Sequence, residues 1–340
     1  NANLLKTLFF INSMVKILEA VPVQACGLAL GCNGLAGLLT NWQRVSGWPL
    51  APASSFFASA AICLASLYIL KAMLVPGAFR SDFSNVGGLS GVGALPAAVQ
   101  ALAVRHSVTL TLPVTQGVVL LCWASSWLIA FQFFRLSFRQ RIWPDPSWFP
   151  PTLLAGMTHI TARSVGPDFL RDWMETQMLV LLGLWIPMMV VVTYRLHLSP
   201  VRDSVAPHPG MALLMAPSSF FAFTHLATGK PFGDDLGNAL MVASTVFFLL
   251  TLVLLYRRRG LWIKQFDLRY VAFTFPMAST ATAALLASER LPLFSTGAFR
   301  TWAATLACLC GIVVSMVLVR FSLAVLPAML DKARGKISKD

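Results

Sequence analysis

The chain has 340 residues, 57% of them hydrophobic and only 11% charged, with a formal net charge of +13. A soluble domain is about a quarter charged, so this composition excludes an ordinary soluble enzyme or binding module and places the chain in a membrane. In so apolar a chain the basic excess belongs to loops, where it speaks for orientation and not for a nucleic-acid partner.

In chain order, residues 4–18 (LLKTLFFINSMVKIL) carry two lysines on an apolar ground, the pattern of a helix lying along the membrane surface. Apolar stretches long enough to cross the bilayer as helices follow at 20–40, 53–75, 91–109, 114–134, 149–165, 174–194, 210–228, 236–256, 268–288 and 301–326. Residues 327–340 then read as a tail. The ~10-residue alternation of barrel strands is absent from the pattern. The expectation is an all-α integral membrane protein, one transmembrane domain over 1–340 with ten transmembrane helices. Its six cysteines fall inside apolar segments without CxxC or histidine spacing, so neither a metal site nor a cofactor is expected.

Two regularities organise the ten spans. Lysine and arginine number 19 on the side of the N-terminus and 7 on the other, which places both termini in the cytoplasm, in a bacterial inner (plasma) membrane. Prolines recur in the odd spans, at Pro22, Pro96, Pro150 with Pro151, Pro217 and Pro276, whereas Pro187 is the interior proline of an even span. Proline removes a backbone donor and kinks a helix. Kinked and straight helices in alternation suggest five hairpins, with the kinked odd-numbered helices around a central pore and the even-numbered ones outside.

The odd spans also hold the polar residues: Gln24, Asn33, Gln100, Thr152, His159, Ser218, Ser279 and Thr282 are candidate pore-lining positions, with Gly156 and Phe221 among them. None is a carboxylate, the group a transported cation or proton usually needs in the membrane. Arg163 and Arg300 stand at the mouth opposite the termini, which with hydroxyl and amide donors favours an anion. The rival reading is packing, because Ser, Thr and Gly let membrane helices approach closely; Gly27, Gly31 and Gly34 favour it most. Phe275 lies about 12 Å along span nine, near mid-bilayer, where Pro276 frees the helix and a ring could gate by excluding water.

At these residues the sequence resembles a known family. AFTFPMASTATA (272–283), after a basic loop, resembles the ninth helix of the tellurite-resistance/dicarboxylate transporter family, which includes plant guard-cell slow anion channels. VPVQACGLALG (21–31), AFRSDFSN (78–85), PSWFPP (146–151) and LLMAPSSFFAF (213–223) match in order. The resemblance implies five hairpins around a pore, a homotrimer with one pore per protomer, and Phe275 as the occluding aromatic. Departures are Gly156, where plant members bring a second aromatic, and Gln24, Ala25 and Cys26, where relatives tend to have glycine and aromatic residues.

The functional expectation is therefore an anion channel or channel-like exporter for small inorganic or organic anions, gated by Phe275. The alternative is a proton-coupled carrier for malate-like dicarboxylates or for sulfite- or tellurite-type oxyanions, with His159 or His225 as its proton site. An enzyme is not expected, since HExxH, GxSxG and paired intramembrane acids are missing from the sequence.

Overall fold

A computed structural model of the chain describes residues 12–198, 208–257 and 266–333, and the regular elements among them are all helical. Helix α1 (Asn12–Glu19) meets α2 (Gln24–Ser46) at a bend of 76° around Pro22. Helix α3 (Ala51–Leu74) is unbroken; α4 (Ala78–Phe83) then leads to a span divided into α5 (Val86–Val92) and α6 (Ala94–Arg105). After the unbroken α7 (Leu112–Arg139) comes the most divided span, in which α8 (Phe149–Leu153) lies between 3-10 turns at Pro146–Trp148 and Leu154–Gly156 before α9 (Met157–Val165). The unbroken α10 (Asp168–Leu198) precedes a 3-10 segment, His208–Met215, that becomes α11 (Ala216–Ala227). The pattern repeats with unbroken α12 (Gly233–Arg257), a 3-10 segment Leu268–Phe273 continuing as α13 (Thr274–Arg290), and the long α14 (Gly297–Ala333).

Seven described segments are long and apolar enough to cross a membrane, eight if α1 and α2 count as one bent span. Ten were expected. The shortfall is physical, because the stretches at 149–165 and 210–228 are cut into pieces beside Pro150, Pro151 and Pro217. The prolines also do something more specific than kink a continuous helix. Pro96, Pro151, Pro217 and Pro276 each sit in the first three residues of a helix that restarts, and Pro22 lies two residues before one. In a first turn the missing N–H has no helical acceptor to lose, so proline costs nothing there and fixes the restart. Pro187 and Pro327 show the opposite case, inside helices that run on.

Burial separates the two kinds of segment. In their most apolar stretches the divided spans Val86–Arg105 and Leu268–Arg290 are 67% and 89% buried, whereas the unbroken helices reach 28–39%. The divided spans therefore form the interior, and the unbroken ones present leucine, valine and phenylalanine outward. The closest approach inside is between α2 and α13. A Cβ added at Gly31 would lie 2.1 Å from Thr274 Oγ1, and one at Gly34 would lie 2.9 Å from Ala278 Cβ, so these glycines bring the two backbones together.

Two separate ends result. At the near end, where α2 begins, Lys71 Nζ donates to Val21 O (2.6 Å) and Ser90 Oγ to Ser147 O (2.8 Å). At the far end, Arg44 pairs with Glu289 (2.7 Å), and Arg290 Nη1 donates to Leu226 O. At the termini, residues 4–11 of the expected surface helix lie outside the described residues, and α14 runs through the expected boundary at 327 as far as Ala333, tied back to α1 by Lys332 and Glu19 (2.8 Å). All six cysteines are free.

Candidate permeation site

From the near end a cavity of about 560 Å³ enters the interior. Its wall takes a residue from every interruption in the divided spans: Gln24, Ala94, Leu154, Leu213 and Pro276. Helices that restart at one depth leave their preceding turns splayed, and the space between those turns is this cavity. Phe275 borders it at the inner end. The ring is 9% exposed, and its centroid is 6.2 Å from that of Phe220 on α11. An apolar void of about 30 Å³ lies against both rings, walled by Phe149, Leu153 and Pro217.

Gly156 explains why Phe220 can stand there. A Cβ on Gly156 would come within 3.0 Å of Phe220 Cε1 and 3.1 Å of Leu181 Cδ1. The missing side chain on the fifth span is the space the seventh span's ring occupies. Phe275 is held from behind by the glycine face of α2, since a Cβ at Gly34 would lie 3.9 Å from its Cδ2.

The near-end wall is less basic than its side of the sequence suggested. It includes Asp82, Asp145 and Arg269. Arg269 is engaged by Asp267, whose carboxyl the Arg269 hydrogen bond holds below the usual carboxylate range. Asp82 accepts from Tyr68 Oη (2.7 Å). Asp145 accepts from Ser147 N (2.7 Å) and Ser147 Oγ (2.5 Å), yet burial outweighs these bonds and pushes its carboxyl up. Carboxylates are thus part of the vestibule, though none lies on the restarted helices beyond Phe275 before Glu289.

Beyond Phe275 the hydroxyls expected as donors are largely turned inward. Thr282 donates to Ala278 O (2.8 Å), Thr280 to Pro276 O (2.8 Å) and Thr152 to Trp148 O (2.6 Å), while Ser279 and Ser219 share a 2.9 Å contact. A hydroxyl has one proton, so these groups join helices or close their own turns. Other atoms remain available. Gln100 Oε1 accepts from Thr158 and Thr161 (3.1 Å each), leaving its buried Nε2 without a protein partner. Asn33 Oδ1, Ser218 Oγ, Thr224 Oγ1, His159 Nε2 and His225 Nδ1 are likewise buried and unpartnered, and all lie on restarted helices. A buried polar group without a bond costs about 1–3 kcal/mol, which gives water a reason to occupy such positions; Ser137, Trp185, Asn238, Ser244 and Trp302 on the outer helices share this state, so it does not by itself mark a path.

At the far end a second cavity, of about 540 Å³, is lined by His159, Arg163, Arg171, Met174 and Glu175. Arg163 is about half exposed and faces Glu175 at 3.5 Å; Arg171 faces Asp168 at 3.2 Å. Arg300 is exposed in the first turn of α14 and is not in the wall of this cavity, so the two mouth arginines are not equivalent. Among the described residues no cluster of His, Cys, Asp and Glu could hold a metal ion.

The structure thus brings together Gln24, Phe275 and Pro276 at the near cavity, and His159 and Arg163 at the far one. Phe221, expected to line the path, instead packs on Trp185 of the outer α10 with centroids 5.5 Å apart. One residue along a helix is a turn of about 100°, so choosing between Phe220 and Phe221 decides which ring faces inward. Sequence reasoning missed Phe220, Asp82, Asp145 and Glu175, whereas Arg171 falls among the basic residues on the side of Arg163. The vacancy at Gly156 was the available signal for the first; Asp82 on the short α4, Asp145 in a loop and Glu175 near the start of α10 are brought to the cavities by tertiary packing, which no periodicity reveals.

Divided inner helices, unbroken outer ones and a cavity bordered by an aromatic ring are compatible with a helical membrane transport protein. Residues 20–322 match the model of the SLAC1 family, described as voltage-dependent anion channel, and the chain belongs to that family. Membership supports an anion channel or transporter embedded in a membrane. No curated protein matches the chain.

Proposed function

We propose that the protein is an anion channel whose path runs from the near-end cavity past Phe275 to the far end. Phe275 and Phe220 together form the closed gate. The observation that carries this reading is the cavity that reaches Phe275 and is walled by residues from all five helix interruptions. Anions would meet amide N–H groups of Gln24 and Gln100, and Arg163 at the far mouth. The near end is cytoplasmic in this proposal, each protomer has its own path, and three protomers assemble.

Keeping a phenylalanine side chain out of water favours closure by roughly 1.5–3 kcal/mol. Removing that ring in Phe275→Ala should therefore raise chloride or nitrate conductance in liposomes at least about tenfold. Normal insertion with unchanged conductance would refute the gate. The carrier reading keeps one specific support, the bare nitrogens of His159 and His225. Flux that saturates with substrate and follows an imposed pH gradient would favour it.

A further inference from the structure

The far-end cavity contains a histidine whose neutral tautomer is fixed by a neighbouring carbonyl. His159 Nδ1 lies 2.8 Å from Met174 O. A carbonyl can only accept, so Nδ1 carries the hydrogen, and the neutral ring presents a bare lone pair at Nε2. That nitrogen is buried, has no protein partner, and belongs to a side chain lining the cavity beside Arg163 and Arg171. His225 on the neighbouring α11 is fixed the other way round, with Nε2 donating to Gly233 O (2.8 Å) and Nδ1 bare.

A bare lone pair repels an anion, whereas a protonated Nε2 donates to one. The surrounding charges are Arg163 on the same helix, Arg171 and Glu175 on α10, and His225 on α11, which lies within electrostatic reach. The charged groups acting on His159 come from α9, α10 and α11 and not from α6 or α7. Burial of the ring and the positive charge of the neighbouring Arg163 oppose a second proton there, and the carboxylate of Glu175 favours it. An anion entering the cavity would offset that opposition. The pairs Arg163–Glu175 and Arg171–Asp168 are largely exposed and weakly held, so an incoming oxyanion can compete for either guanidinium.

We propose that the far-end cavity is a proton-linked oxyanion site, in which a small oxyanion bound by Arg163 and Arg171 is joined by a proton from water on Nε2 of His159. This rests on the far end being a mouth of the anion path. Binding free energies are reciprocal, so the proton tightens the anion by the same factor as the anion tightens the proton. The consequence is an anion affinity that rises as far-side pH falls.

The test is nitrate binding to the full chain in lipid nanodiscs by titration calorimetry, at pH 5.5 and pH 8, in two buffers of different ionisation enthalpy. Wild type should bind roughly tenfold tighter at pH 5.5 and take up protons as it binds. His159→Asn keeps an amide N–H for Met174 O but has no basic nitrogen, so both effects should vanish. His225→Gln, which keeps a donor for Gly233 O, should retain them. Proton uptake that survives in His159→Asn, or is absent in wild type, overturns the proposal. Should His159→Asn fail to assemble, nitrogen-15 spectra of wild-type histidines decide: nitrate must increase the protonated fraction of an Nδ1–H histidine, and no change overturns it. Wild-type conductance at pH 8 is a separate readout. Conductance without proton uptake removes this site and leaves the channel; no conductance removes the channel itself.

Discussion

The divided inner spans are less apolar than the unbroken outer helices, with a mean hydropathy of 1.4 against 1.8–2.4, and they differ also in where their backbone stops. The outer α7 and α14 run for 28 and 37 residues and bury about a third of their most apolar stretch. The inner span ending in α13 changes from 3-10 to α geometry at Thr274 and is 89% buried over the same length. Irregular backbone in a membrane is tolerable where protein or a water-filled cavity satisfies it and lipid does not touch it. The interruptions are therefore confined to the inner ring, and there they enclose the near-end cavity.

Four substitutions sharpen or break that contrast. The largest effect belongs to the inner ring's closest contact. Gly31→Ala would drive a methyl into Thr274 and should lower stability by about 2 to 3 kcal/mol. A melting temperature equal to wild type in detergent would mean that α2 and α13 are not held as described. Next is Phe220→Ala, which removes an aromatic pair worth about 0.5–1.5 kcal/mol and should raise conductance about two- to tenfold, less than Phe275→Ala. An equal or greater rise would make Phe220 the principal gate.

Asp145 supplies a smaller, pH-dependent effect. Burial holds its carboxyl above the ordinary range, so as near-side pH falls it loses its charge before exposed carboxylates do. Negative charge in the vestibule then declines, and anion entry should rise. Asp145→Asn should raise conductance by about threefold at neutral pH, where it removes one partly screened charge from the cavity wall, and the difference should shrink as near-side pH falls. A variant that keeps the wild-type pH response would exclude Asp145 as its source. The smallest effect is the control on the outer ring: Leu128→Ala, at an exposed position of α7, should alter stability by under about 0.5 kcal/mol and leave conductance unchanged. A gating change there would dissolve the distinction between the rings.

Much of this contrast was legible beforehand. Proline recurrence in alternate spans marked which helices are interrupted, because proline's missing donor acts locally wherever the residue stands. What proline did could not be read at that level. Pro276 and Pro187 are the same residue in apolar surroundings, yet one begins a helix and the other lies inside one. The difference comes from tertiary packing, which the neighbouring residues do not encode. At the site, Phe275 was marked by its motif and Gly31 and Gly34 by their spacing, but hydroxyl content misled. Ser279 and Thr282 look like lumenal donors in a sequence, whereas on a helix they donate to the carbonyl three or four residues back. Gln100 and His159 matter more because an amide or an imidazole has a second polar atom left after the first is satisfied.

The vacancy at Gly156 has a consequence for how such proteins diverge. In the proposed gate, obstruction depends on total bulk at one level of the path, and either the fifth or the seventh span can supply it beside Phe275. A lineage can lose an aromatic from one wall and gain it on another without leaking, provided the two changes offset each other in volume. Position-by-position comparison would record a lost stopper where the stopper has only changed sides.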